Sequence, residues 1–303
     1  MALFEMIKRL MAGDWFTSKL PVASLAPFLF PHSGFKVQQE YLKIFARLSE
    51  DPVPQVRKAA AQNLKHLIAL LPQLEKPPER ELLANFDRLS KDEHDSVKIL
   101  AMDNCLEFLK VLPPTRAAGL LPFIKSYAES EAWRLRYLVA DKIVELAKGG
   151  DQAHLLPYYV KFLDDGESEV RTAAVSRLGE FAKLITPEEI VKKIAPCLKK
   201  LSTDSFQYVR GALADNILFL CPLIGKANTN EFVLGVFLTL LRDESPEVRL
   251  NLFKGLEEFN KVIGVETLAQ SLVPAINELA TDKNWRTRLT IIEKFPVLAR
   301  QLG

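Results

Sequence analysis

The sequence predicts an all-α solenoid, a stack of helix pairs in which each pair buries the face its neighbour exposes. Three observations carry this. A charged signature recurs at a nearly fixed period along the whole 303 residues. The segments around it show apolar residues at helical spacing. The alternation of apolar and polar residues that marks a strand is absent.

The signature is an acidic residue standing six positions before a basic one. It reads DPVPQVR at Asp51–Arg57, DEHDSVK at Asp92–Lys98, DGESEVR at Asp165–Arg171, DSFQYVR at Asp204–Arg210, DESPEVR at Asp243–Arg249 and DKNWRTR at Asp282–Arg288. SEAWRLR at Ser130–Arg136 fits with Ser in the acidic place, and DWFTSK at Asp14–Lys19 fits one residue short. The basic anchors Lys19, Arg57, Lys98, Arg136, Arg171, Arg210, Arg249 and Arg288 are spaced 38, 41, 38, 35, 39, 39 and 39 residues apart. A period in this range over a whole chain indicates a repeat architecture. The units fall at about 1–36, 37–75, 76–115, 116–151, 152–187, 188–226, 227–265 and 266–303, forming one solenoid of about eight repeats.

Each unit reads as two helices. The first ends just before the acidic residue, as in LLPYYVKFL at Leu155–Leu163. Pro122, Pro157, Pro196 and Pro274 all stand eight residues before the turn position of their unit, where proline starts or bends a helix. The second helix is expected to start at the Val-Arg pair. Ser245-Pro246-Glu247 offers an N-cap, a proline for the first helical position and a favourable acid. The second helices should close at Pro72, Pro113-Pro114, Gly149-Gly150, Pro187, Gly225, Gly264 and Gly303.

Composition bounds function. Forty Lys+Arg balance 38 Asp+Glu to a formal charge of +2, without the basic excess of a nucleic-acid binder. No apolar run approaches 18 residues, so no membrane span is expected, and the first residues lack a signal-peptide pattern. Cys105, Cys197 and Cys221 are odd in number and widely spaced, which fits core thiols in a reducing compartment, the cytoplasm or the nucleus. His32, His66, His94 and His154 lie in different units, and phosphate-loop, GxSxG and HExxH patterns are absent. No metal site, cofactor, small-molecule substrate or catalytic activity is therefore expected.

Candidate contact residues lie in the turns. The Asp…Val-Arg ladder reads first as a bridge from one unit to the next, with partner contact through the same turn as the other reading. Trp15, Trp133 and Trp285 all fall between the two helices of a unit, and Trp133-Arg134 and Trp285-Arg286 repeat one dipeptide at one offset. Trp and Arg dominate interface hot spots; alternatively each indole packs on its own turn with the Arg stacked over it. A polar row six residues after the anchor (Asn63, Asn104, Lys142, Arg177, Asn216, Gly255, Lys294) is expected along a solvated face. If it lines a groove, the chain reads instead as a transport or peptide-binding adaptor, with Asn63, Asn104 and Asn216 on peptide backbone.

The period, the bending prolines and the turn signature resemble HEAT repeats. Gly13–Ser18 (GDWFTS), Trp133–Lys142 (WRLRYLVADK), Pro246–Asn251 (PEVRLN), Gln270–Leu279 (QSLVPAINEL) and Trp285–Ile292 (WRTRLTII) resemble the scaffolding A subunits of protein phosphatase 2A, in order along essentially the whole chain. The resemblance implies a right-handed superhelix and a non-catalytic scaffold whose partners are B-type regulatory subunits and the phosphatase catalytic subunit. It aligns the chain with about the fourth to the eleventh of the family's fifteen repeats. It would make the chain a piece of a longer one and explain end units without polar caps. It implies regulatory-subunit contacts at Pro54, Gln55, Arg57, Lys58, Asp95, Trp133, Arg134 and Arg136, and the edge of the catalytic-subunit surface at Trp285 and Arg286. The chain departs from the family at Pro52 and Val53, at Ala132, and at Lys58, which replaces a second Arg and loses its bidentate fork.

Overall fold

Helices pair as the period requires. The computed structural model describes residues 2–149 and 152–281 and, beyond these, Lys283, Trp285, Arg288, Leu289, Ile292, Glu293, Pro296 and Ala299. No strand occurs among the described residues. Asp282, Arg286, Lys294 and Gly303 lie outside them. The chain forms two compact units, Met1–Ser130 and Glu131–Gly303.

In the first unit, first helices Ala2–Ala12, Phe35–Ser49 and Glu79–Ser90 alternate with second helices Phe16–Leu29, Pro54–Ile68 and Asp95–Val111, and Leu121–Ala128 opens the fourth pair. The second helices pack side by side as one layer, and the first helices lie against it. The second unit repeats the plan, with first helices Gln152–Leu163, Ala195–Ser202, Leu234–Leu241 and Val265–Ala280. Its second helices are broken near the middle: Trp133–Asp141 then Ile143–Gly149, Ser168–Ser176 then Leu178–Ala182, Gln207–Asn216 then a 3-10 turn at Ile217–Leu220, and Pro246–Leu252 then Leu256–Ile263.

These second helices begin three residues before the basic anchor rather than at the Val-Arg pair. Pro54 and Pro246 occupy the first turn, where the missing N–H costs nothing. Ser245 stands at the N-cap as expected but makes no side-chain cap. Its own N–H is held by Asp243 Oδ1 at 2.9 Å, and the acidic residue of the signature organises the turn instead. Gly225 and Gly264 terminate second helices at φ 75° and 86°, where a side chain would be strained. The four prolines act in two ways. Pro122 and Pro196 start helices, whereas Pro157 and Pro274 lie inside them. Thr186 and Glu189 form a reciprocal capping box ahead of repeat six; the signal T-P-E-E is plain in the sequence, where Pro187 alone suggested a stop.

Aromatic side chains fill the space between layers. Tyr159 is fully buried, stacks on Phe181 at 4.2 Å and donates its hydroxyl to Ala174 O at 2.9 Å. Phe237 meets Phe259 at 4.9 Å, and Phe86 meets both Phe108 and Phe123. The apolar stretch Gln207–Leu241 is long enough to cross a bilayer, but half of its most apolar window is buried against neighbouring helices and Gly225 breaks its axis.

Two repeats approach closely at glycine. A β-carbon at Gly255 would stand 2.6 Å from Leu218 Cβ, and one at Gly179 3.2 Å from Phe219 Cβ. Gly255 is the odd member of the sequence's polar row, and the closeness of its neighbour explains it. Asn104 departs further from the expected solvated face. It is fully buried and donates to Ala61 O of the preceding repeat at 3.0 Å. Asn63 and Asn216 donate to their own helices at Ala59 O and Ala212 O. Asn104 therefore serves the packing between repeats, because a buried amide facing a packed helix must find a partner there.

Gly255→Ala should cost about 1–3 kcal/mol in urea unfolding because Leu218 must move. Gly235→Ala, where nothing lies within 4 Å, should be neutral or stabilising by up to about 1 kcal/mol.

Candidate partner-binding ridge

The signature residues tie repeat to repeat. Arg57 Nε and Nη2 hold both carboxylate oxygens of Asp92 at 2.6 and 3.1 Å. Arg136 holds Asp165, Arg171 holds Asp204 and Arg210 holds Asp243 in the same bidentate way, with Nε distances of 2.7, 2.7 and 2.6 Å. Lys19 reaches Asp51 at 2.7 Å. Each acid also accepts the N–H two residues on, from Val53, His94, Glu167, Phe206 or Ser245. The remaining guanidinium nitrogen folds back on its own turn: Arg57 Nη1 donates to Asp51 O, Arg171 to Asp165 O and Arg210 to Asp204 O. One Arg therefore fixes two turns. At the step from Lys98, position 130 is Ser, and Lys98 pairs instead with Asp95 of its own helix at 2.8 Å; the step from Arg249 leads to Asp282, outside the described residues.

Burial alone would raise the carboxyls of Asp92 and Asp165. The guanidinium hydrogen bond, the backbone N–H and the guanidinium charge outweigh it and hold both below the ordinary carboxylate value. The same hydrogen bonds raise Arg57 and Arg136. A depressed folded pKa adds stability that is fully present above the unfolded carboxylate value and is lost as pH falls through the folded one. Acid unfolding should therefore steepen below about pH 4. Asp92→Asn should cost about 2–4 kcal/mol, since it strands a nearly buried guanidinium. Asp103→Asn, which removes the exposed Lys65–Asp103 pair, should change the melting midpoint little.

The ladder decides what the turns can offer a partner. Arg57 is buried and Arg136 half-buried, both committed to acids, so they hold the turns in place. Around them Pro54 is half-buried, Gln55 and Lys58 are exposed, and Asp95 is exposed beside Lys98. With Arg57, these residues sit in two successive turns of the first unit. In the second unit Trp133 opens its helix half-buried, with the Arg134 guanidinium 4.7 Å over its ring and Tyr137 edge-on at 6.4 Å. The stacked-Arg reading of this dipeptide is what the structure shows, and it presents Arg134 outward on an aromatic base. Trp15 is 78% and Trp285 59% exposed. Trp285 lies four repeats beyond Trp133, and Arg286 is outside the described residues.

Sequence reasoning missed Phe206 and Tyr208. Both are exposed in the turn of repeat six, with Arg171 5.9 Å over the Phe206 ring. Their signal was in DSFQYVR, but only the repeat of Trp drew notice. Cys105 and Cys221 are fully buried, and burial pushes the Cys221 thiol up to about 12; Cys197 is half-buried. Among the described residues no group of His, Cys, Asp and Glu could hold a metal ion.

The chain is similar to known proteins. Residues 151–225 match the family described as PPP2R1A-like HEAT repeat, and residues 42–71 match the HEAT repeat. The beta isoform of the human serine/threonine-protein phosphatase 2A 65 kDa regulatory A subunit is 40% identical over 265 residues, 85% of this chain and 44% of the relative. The regulatory A subunit of protein phosphatase PP2A from Saccharomyces cerevisiae is 36% identical over 161 residues, 50% of this chain and 25% of the relative. A chain in the structure of Kap95p binding to RanGDP superposes with a TM-score of 0.65 at 14% identity, over 91% of this chain and 38% of that one, a likeness of fold alone. The chain spans less than half the length of the curated relatives it matches. On its repeats and its aligned relatives, the chain is a HEAT-repeat solenoid similar over most of its length to the 65 kDa regulatory A subunit of protein phosphatase 2A.

Proposed function

We propose that this chain is a non-catalytic scaffold that holds the catalytic subunit of a type 2A Ser/Thr phosphatase beside a regulatory subunit. The observation that carries the reading is 40% identity over 85% of the chain to a phosphatase regulatory A subunit. The geometry suits it. Rigid turns, braced by the Arg–Asp ladder, present Pro54, Gln55, Lys58, Asp95, Trp133 and Arg134 as the regulatory-subunit surface, with Arg57 and Arg136 positioning them. Trp285 and Arg286 would begin the catalytic-subunit edge. Holding two partners on one body raises the effective concentration of each near the other. The three unpaired thiols suit a reducing compartment, the cytoplasm or the nucleus. The adaptor reading is weakened, because Asn104 is buried and Asn63 and Asn216 each give one side-chain N–H to their own helix.

A pull-down with purified B-type regulatory subunits should capture the chain. Arg134→Ala and Trp133→Ala should each weaken capture about tenfold, the loss of one hot-spot contact. Arg134 is exposed, so its replacement leaves the fold intact. Undiminished capture in both variants would remove the site assignment, and no capture by any regulatory class would remove the scaffold reading. Phosphatase assays on the isolated chain should stay at background.

A further inference from the structure

A shallow groove of about 350 Å³ crosses three successive second helices of the second unit and is lined by none of the partner-contact residues assigned above. Tyr137 of Trp133–Asp141 forms one rim and Tyr208 of Gln207–Asn216 the other. They are 38% and 74% exposed, unusual for aromatic rings that could have packed inward. The floor is the Ser168–Ser176 helix, contributing Ser168, Glu169, Thr172, Ala173 and Ser176.

The hydrogen bonding of this floor is one-sided. Ser176 donates its hydroxyl to Thr172 O at 2.8 Å, Thr172 to Ser168 O at 2.7 Å, and Ser168 to Glu169 Oε2 at 2.9 Å. The three protons are consumed inside the helix, so the groove meets a ligand with hydroxyl lone pairs and a carboxylate. Arg177 at the far end does not offset this: its Nε and Nη2 hold Asp141 O and Oδ1, each at 2.9 Å. Asp141 also binds Lys142 at 2.9 Å. Among the residues lining the groove, Asp141 and Glu169 are acids, and the cation Arg177 is already engaged by Asp141.

We infer that this groove binds an arginine side chain carried by an extended peptide segment. The guanidinium supplies only N–H donors, which is what the floor lacks, and its flat cationic face fits between two tyrosine rings. An acidic segment would meet Glu169 and lone pairs, and an apolar helix would leave the hydroxyl floor unsatisfied. The groove adjoins the Trp133 turn, since Tyr137 on its rim lies edge-on to Trp133 at 6.4 Å, but it is lined by other residues.

Titration of the whole chain, labelled at the Thr172 and Ala173 methyl groups, with the peptide acetyl-Gly-Arg-Gly-amide tests this by NMR. Saturable shifts at both methyls are expected, with an affinity that falls as salt rises. The isosteric neutral peptide acetyl-Gly-citrulline-Gly-amide should bind about fivefold or more weakly. Glu169→Gln and Tyr208→Ala should each weaken the arginine peptide about three- to fivefold. Both residues are exposed, and unchanged methyl spectra elsewhere would show that the variants fold. Equal binding of the two peptides, absence of shifts at Thr172 and Ala173, or full affinity in both variants would overturn the assignment. The subunit pull-down is a separate measurement, and neither result decides the other.

Discussion

Arg57, Arg136, Arg171 and Arg210 of the ladder each sit at the start of a second helix and are fastened in two directions, as Arg171 shows. Its Nε and Nη2 clamp the aspartate of the next repeat, and its Nη1 closes on carbonyls of its own turn. The aspartate in turn holds the backbone N–H that begins the following helix. Turn geometry, helix start and repeat-to-repeat register are thus one connected network. A guanidinium at 8–9% exposure, as at Arg210 and Arg57, is tolerable only because its donors are met by such a network. A lysine anchor, as at Lys19 with Asp51, makes the cross-repeat pair with a point charge and without the planar fork. At the step where the anchor is Lys98 and position 130 is Ser, the pairing falls back within one helix.

The exposed residues depend on that bracing. A turn whose backbone is fixed on both sides can hold aromatic and charged side chains outward without collapsing onto them. Arg134 over Trp133 and Arg171 over Phe206 show the arrangement, a cation resting on a ring at the mouth of a rigid turn. Contact surfaces built this way lose little ordering entropy on binding, which suits a body whose task is to hold others in place.

Much of this was legible from the chain. The acid-to-base spacing of six gave the turn, and its near-constant recurrence gave the repeat. Gly225 and Gly264 marked helix ends because positive φ is nearly confined to glycine. The cross-repeat pairing was the leading reading of the ladder, and it is the one the structure shows. What escaped was whatever depends on the neighbouring repeat. Asn104 and Gly255 share one offset from the anchor, yet one is buried against Ala61 and the other lets Leu218 approach. No periodicity within a single repeat distinguishes them. Tyr137 and Tyr208 look unremarkable singly and form a groove only when three second helices stand side by side.

The sequence by itself determined the architecture, because period, helix stops and charge pairing are local or recur identically, and recurrence needs no knowledge of distance. Even the near-zero net charge is a property of the repeat, an acid matched to a base unit by unit. Tertiary structure alone decided which of those charges are committed and which are offered. Arg57 and Arg134 are equally basic in the sequence. Packing buries the first against Asp92 and leaves the second on a tryptophan ring in water, since desolvation cost and available partners are set by what lies across the interface.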